Sequence, residues 1–443
     1  MKNNNYEAGE RILAENYTVI NDTTTTDLNN NDLIIGPSGA GKTMGYVKPN
    51  IRQFTNSMIV ADTKSSLSKE LSAELKAHGY IVHTVDFVNP EKSTAAYNPL
   101  NYIRKHKDGR YREQDIMTVS YALIPPTRPE DAFWETGARN ILACLISFVL
   151  EAFPDDNPNL SKVVDIYNLM SHQIANLKSR TKPKVAFLDE WALDHPDSFA
   201  VKKYYMFKDS ITAEKMWGSF VQFVTNALSP FEFKEAEALF MKEGDFRIEH
   251  LGDKPTVLFL NISDSDRTFD GLINLFYTQA LQSLMWAADK TASNRLKVPV
   301  RIILDDFAAN AVIPDFDKII SVIRSRSISV SIILQSLTQL ESMYREASAM
   351  TIVNNCDHVI YLGGSDRKTA EYVALRVDKS IQTVLCTPAS KVWIMERGKK
   401  GVQRDKYDFR KNDAEKTSNT PAAKKPAEKK PAGKKSAVTT GSK

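Results

Sequence analysis

The chain has 443 residues, 42% of them hydrophobic and 25% charged, with a formal net charge of +4. This is an ordinary globular composition, long enough for two or three domains at the usual ~100–200 residues each. Three scattered cysteines (Cys144, Cys356, Cys386) and seven histidines without zinc-type spacing exclude a disulfide framework and a zinc finger, so any metal is expected to be a hard cation held by oxygens.

In chain order, residues 1–30 are polar and end in TTTTDLNNND, which reads as a turn-rich lead-in. The opening MKNNNYEAGE has no apolar h-region and is not a secretory signal. Apolar β-type runs follow: LIIG (33–36), SMIVAD (57–62) and YIVHTVDF (80–87), then TVLFLNI (256–262), VRIILDDF (300–307), SVSIILQS (329–336), HVIYLG (358–363) and KVWIMER (391–397). Continuous Ile, Val and Leu rather than strict alternation predicts strands buried on both faces, the mark of a parallel sheet covered by helices.

From 105 to 250 the pattern turns helical: TGARNILACLISFVLEAF, SKVVDIYNLMSH, ITAEKMWGSFVQFVTNAL and EFKEAEALFMKE, with KVAFLD (184–189) as one candidate strand. The longest apolar run, Ile141–Leu150, is half the ~20 residues a membrane-spanning helix needs and is expected to be a buried helix. The expected layout is therefore an α/β core in two halves, 31–104 and 251–400, with an all-α domain at 105–250 inserted between them. Residues 401–443 form a tail containing PAAKK, PAEKK and PAGKK in succession, expected to be disordered. From Lys411 to Lys443 there are nine lysines against three acids, which leaves the remaining body slightly acidic. Unpaired cysteines and the missing spanning run point to the cytoplasm.

The sharpest motif is Gly36-Pro37-Ser38-Gly39-Ala40-Gly41-Lys42-Thr43, a G-x-x-x-x-G-K-[ST] loop between an apolar strand and a helix. Glycines let such a loop curl its N–H groups around phosphates, the lysine reaches the β and γ phosphates, and the Thr hydroxyl takes Mg²⁺. A second acid is required at the end of a neighbouring strand. Asp305 and Asp306 supply it after Arg301-Ile-Ile-Leu304, with Asp305 expected on the Mg²⁺ side and Asp306 as general base. Gln335 ends another strand, either as a solvated strand end or where a γ-phosphate would lie. Arg324 and Arg326 sit between, either as helix-surface charge or projecting toward a phosphate in the same or a neighbouring subunit. No N-K-x-D guanine motif is present, so ATP is favoured. The residues alone give a RecA-like P-loop ATPase core with a helical insertion.

Further blocks carry a resemblance: DLNNNDLIIGPSGAGKT followed by YVKPNI; MIVADTKSSLSKEL, GYIVHTVDF and AAYNPLNYI; DAFWETGARNIL; ILDDFAANAVIPDF; IRSRSISVSIILQSLTQLESMY and TIVNNCDHVIYLGGSD. In this order they resemble the type IV secretion coupling ATPases of the VirD4/TraG group, in the flavour of Gram-positive mobile elements, over residues 10 to 397. The resemblance implies an ATP-driven DNA translocase that links a relaxase–single-stranded DNA substrate to a secretion channel, working as a hexamer with nucleotide between neighbouring subunits. Arg324, 18 residues after Asp306 and 11 before Gln335, is spaced similarly to the family's nucleotide-contacting arginine and glutamine. This sequence departs in two ways. Family members begin with membrane-spanning helices, absent here, which brings in a membrane-anchored partner and recruitment to the inner face of the plasma membrane. Asp306 stands where the family more often has Glu. The lysines of the tail make it either a solvated, flexible extension or a contact for DNA phosphates or anionic lipid. Two other readings stay open: an ATP-switch adaptor that recruits substrates with little hydrolysis, and another RecA-like DNA motor.

Overall fold

The computed structural model describes residues 9–175, 185–241, 246–307, 312–411 and 441. Two strands, β1 (Glu10–Ala14) and β2 (Tyr17–Ile20), form an antiparallel hairpin. The main sheet has nine strands: β3 (Asp32–Ile35), β4 (Ser57–Asp62), β5 (Ile81–Asp86), β6 (Thr256–Asn261), β7 (Val300–Leu304), β8 (Ile328–Leu334), β9 (His358–Tyr361), β10 (Lys391–Glu396) and β11 (Val402–Asp405), in spatial order 11-10-9-3-8-7-4-6-5. Seven strands, β3 to β9, run parallel, and β10 and β11 close one edge as an antiparallel hairpin.

The unbroken apolar runs have the meaning the pattern predicts. Along β3, Leu33 and Ile35 enter one hydrophobic cluster and Ile34 the other, so both faces are covered. The smaller cluster lies under the β1–β2 hairpin and the helix Leu67–Ala77. The larger runs without a break from the sheet into the helices between β5 and β6. β5 departs from the pattern: its Ile81 is exposed, because the strand lies at the sheet's edge.

Between β5 and β6 the described residues are mainly helical, including Glu113–Leu123, Ala132–Ala152, Leu160–Ala175, Phe199–Phe207 and Glu214–Leu228. The second half of Ala132–Ala152 is apolar nearly all round, and Ile141 to Ile146 are fully buried, as such a stretch must be. It is long and apolar enough to cross a membrane by composition, but here it forms the centre of the larger cluster.

Gly137 marks the crossing of this helix with Glu214–Leu228. A Cβ there would come within 2.3 Å of the Phe220 ring. Gly137→Ala gains about 1 kcal/mol of helix propensity, while overpacking costs about 1–3 kcal/mol. The clash should win, lowering stability by about 1 kcal/mol in a urea titration. A stabilised variant would mean that Phe220 has room to rotate away.

Three expectations need correction. The polar lead-in is partly structured: residues 10–20 form the hairpin, turned through Asn16 in the left-handed region (φ 53), and Asp22 caps the short helix Thr23–Thr26. KVAFLD is not a strand; Ala186–Asp194 is helical, and Asp189 is spent on Lys208 at 2.6 Å. The tail does not begin at 401, because β11 pairs with β10 over four residues. Met1–Tyr407 forms one compact unit and Asp408–Lys443 another. Of the second, only 408–411 and 441 are described, where Arg410 N donates to Asp408 Oδ1 at 3.0 Å; the PAAKK repeats lie outside the described residues.

Candidate functional site

The carboxyl end of β3 opens into the glycine-rich loop. Gly36 N donates to Leu334 O at 3.1 Å, anchoring the loop to β8, and Ala40 N donates to Pro37 O at 3.1 Å, closing its turn. Gly39 and Gly41 hold φ of 75° and 85°, a region closed to most side chains. Gly45 N donates to Gly41 O at 2.7 Å and starts the helix. Its first turns, Thr43–Val47, are wide, with Lys48 N–H donating to Thr43 O. Pro49 accounts for this: in a regular helix its ring would strike the carbonyl of Gly45 four residues back, and widening the turn relieves the collision. Asn50 then locks the helix to the hairpin, accepting from Ile12 N at 2.9 Å and donating to Ile12 O and Tyr46 O, each at 2.8 Å.

Lys42 folds across the mouth of the loop and donates through Nζ to Gly36 O at 2.7 Å and Pro37 O at 3.0 Å. Burial draws its ammonium below the ordinary lysine range, while Asp305 and Asp306 pull it back up. Asp305 follows β7, and its Oδ2 accepts from Thr43 Oγ1 at 2.9 Å. Burial pushes its carboxyl up, partly offset by the Thr43 hydroxyl, the Asp306 N–H and Lys42. A buried carboxylate beside a hydroxyl is a hard, oxygen-only donor pair.

Asp306 sits in the left-handed region (φ 49), its N–H donating to Asp305 Oδ1 at 3.0 Å. Strain of this kind gathers where the surroundings over-determine a residue, and Asp is among the few non-glycine residues that accept it. Gln335 is exposed at the carboxyl end of β8, the strand between β3 and β7, with its N–H held by Gln339 Oε1 at 3.0 Å. The sheet order thus gathers Gly36, Pro37, Ser38, Gly39, Ala40, Gly41, Lys42, Thr43, Asp305, Asp306 and Gln335 along one edge.

Arg324 is not among them. It precedes β8, at the opposite end of the sheet, where Nη2 donates to Thr23 O at 3.0 Å. The seven residues of β8 separate it from the Gln335 edge, about 20 Å at strand rise. An arginine side chain spans a third of that, which rules out the same-chain alternative. Arg326 is a surface charge, paired to Asp289 at 2.8 Å.

Sequence reasoning missed what stands behind the loop. Asp32, at the start of β3, is fully buried; Arg11 reaches its Oδ2 at 2.9 Å, Arg301 at 3.2 Å, and His358 Nδ1 lies 3.4 Å from Oδ1. Tyr46, from the loop's own helix, donates to the same carboxylate. Arginine inside the apolar run VRIIL was the available signal, since a buried cation demands a partner. Lys406, which touches the loop from the far end of the chain, had no such signal. In two family-like blocks the polar residues make local contacts: Asp62 accepts from Ser66 N and Ser68 N at 3.0 and 2.9 Å, and Asn98 caps its own turn and donates to Pro158 O at 2.8 Å.

The family model described as type IV secretory system conjugative DNA transfer matches residues 2–385. Protein VirD4 of Agrobacterium fabrum is 22% identical over 353 residues, covering 77% of this chain and 48% of its own length, and Protein VirD4 of Rhizobium rhizogenes matches equally. The chain therefore spans about half the length of the curated relatives it matches. Among solved structures, the bacterial conjugative coupling protein TrwBdeltaN70 has a TM-score of 0.63 at 16% identity over 85% of both chains. TrwB complexes with an ATP analogue and with ADP and Mg²⁺ each have a TM-score of 0.61 at 15% identity over the same shares. At such identities the likeness shows a shared fold, the RecA-like P-loop core.

Proposed function

Because the chain belongs to the type IV secretory system conjugative DNA-transfer family, we propose that it is an ATP-driven coupling protein that moves a relaxase–single-stranded DNA substrate toward a type IV secretion channel. The observation that carries the reading is the Thr43–Asp305 contact of 2.9 Å across the mouth of a complete phosphate loop. It joins the two motifs that a nucleotide-hydrolysing site requires, although 262 residues separate them in sequence.

In this reading Gly36–Thr43 cradles the phosphates of ATP with backbone N–H groups. Lys42 exchanges its loop carbonyls for the β and γ oxygens. Thr43 and Asp305 would hold Mg²⁺, which would neutralise charge on the phosphates. Asp306 accepts the proton of the attacking water, and Gln335 orients that water. Arg324 serves a neighbouring copy, in a homo-oligomer of hexamer type. The helical region 105–250 faces the relaxase–DNA substrate.

The test is ATP turnover by the full chain with and without single-stranded DNA. The expected result is Mg²⁺-dependent turnover that DNA stimulates. Nucleotide binding with no turnover under either condition would favour the adaptor that uses ATP as a switch.

Asp306→Asn gives a finer measurement. Asn tolerates the left-handed backbone as Asp does, so the fold and nucleotide binding should survive. Turnover should fall about 10²–10⁴-fold, the usual worth of a general base. An unchanged rate would remove Asp306 from that role.

A further inference from the structure

Lys406 approaches the phosphate loop from outside it. Its Nζ donates to Ala40 O at 2.6 Å. A Cβ added at Gly41 would lie 3.6 Å from that Nζ, and one added at Gly45 would lie 3.5 Å from the Lys406 stem. The side chain thus lies along the glycine face of the loop and its helix. Its backbone is fixed as well: Lys406 N donates to Ser390 O at 2.8 Å, just beyond the β10–β11 pairing. The residue is half-buried, burial draws its ammonium below the ordinary lysine range, and among the described residues no carboxylate forms an ion pair with it. A partly desolvated cation facing a lone carbonyl is under-compensated, and an anion arriving at the loop would correct that.

The side of the loop indicates which part of the anion. Gly45 lies two residues beyond Thr43, roughly half a turn around the helix axis, and Lys406 lies against it. Thr43 faces Asp305, the reacting side. Lys406 therefore stands on the opposite side, where the phosphate chain continues away from its γ end.

We propose that Lys406 is a nucleotide-binding residue that holds the α-phosphate of the bound nucleotide, so that the segment leading into the lysine-rich terminus is fastened to the loaded site. This rests on the reading of Gly36–Thr43 as a nucleotide site. It gives the loop two lysines with separate tasks: Lys42 at the reacting end and Lys406 at the non-reacting end.

The experiment uses the full chain and two variants, Lys406→Gln and Lys406→Arg, titrated with ADP and ATP against a fluorescent ADP analogue, with ATP turnover measured in parallel. Lys406→Gln should weaken ADP and ATP by the same factor, about tenfold, as loss of a charge-assisted hydrogen bond does. It should raise KM while leaving kcat at saturation within about twofold, and Lys406→Arg should restore most of the affinity. On the wild-type chain, bound ADP should also shield Lys406 from amine acylation while leaving exposed Lys400 reactive, a readout that needs no variant. Unchanged or tightened affinity in Lys406→Gln, loss for ATP but not ADP, or acylation of Lys406 undiminished by ADP would each overturn the proposal. A wild-type chain that binds no nucleotide would overturn the site reading as well, whereas a wild-type chain that binds no better than Lys406→Gln overturns this inference alone.

Discussion

Lys42→Ala should reduce ATP turnover by about 10²–10³-fold or more, the usual loss when one preorganised donor to developing charge is removed. The effect is large because the ammonium is already in place. It is held over the loop's mouth by Gly36 O at 2.7 Å and Pro37 O at 3.0 Å, so little reorganisation precedes its transfer to phosphate. Asp305 and Asp306 stand close enough to raise its pKa against the pull of burial, and deleting the cation leaves both carboxylates facing the phosphates without it. The apo fold should hardly notice, since Lys42 is not part of either hydrophobic cluster. The check is therefore double: turnover lost, and the rise in Tm that ATP gives the wild type lost with it, while Tm without ligand stays within a degree or two. A variant that unfolds without ligand would instead make Lys42 a structural residue.

The largest effect on stability is expected at Asp32. Burial would raise its carboxyl, but Arg11, the His358 hydrogen bond and Arg301 overcome that and hold it well below the usual carboxylate range. Asp32→Asn leaves two buried guanidinium groups without their counter-charge, and breaking a buried pair in this way costs about 3–5 kcal/mol. The sign of the pH dependence follows. With the folded pKa depressed, the stabilisation is complete above the unfolded value, about 3.9, and drains away as pH falls through the folded one. The gap between wild type and Asp32→Asn, measured by urea unfolding, should be full at pH 7 and narrower by about 1 kcal/mol at pH 3. A gap that is small at pH 7, or that widens in acid, would remove Asp32 as the anchor of this cluster. Because Tyr46 joins the cluster to the loop's helix, the variant should also bind nucleotide less tightly.

What was legible in the sequence was what neighbours in sequence determine. The loop Gly36–Thr43 announces itself because its glycines, lysine and hydroxyl act through their own backbone. Continuous apolar runs gave eight of the sheet's strands, since burial on both faces leaves no polar alternation. β11 was lost because Val-Gln-Arg-Asp is half exposed and lies next to a lysine-rich stretch whose composition dominated the reading. The hairpin at 10–20 was lost in the same way beneath its Asn and Thr neighbours. KVAFLD misled because a short apolar run has no periodicity of its own; packing against Tyr204, whose hydroxyl accepts from Val185 N at 3.2 Å, goes with the helix instead. Arg324 illustrates the limit most clearly. Eleven residues separate it from Gln335, but only strand direction shows that they carry the chain from one end of the sheet to the other.

That placement has a consequence for assembly. In the proposed reading, an arginine about 20 Å from its own phosphate loop serves the loop of another copy. Each copy then offers an arginine edge on one side and a loop edge on the other, two different surfaces rather than one self-complementary patch. Contacts of that kind are heterologous: they close into a ring when the rotation allows and run on as a filament when it does not. A two-fold dimer brings like edges together and completes no site. Turnover per chain should therefore rise with protein concentration, and it should reach its plateau only where open chain ends have disappeared.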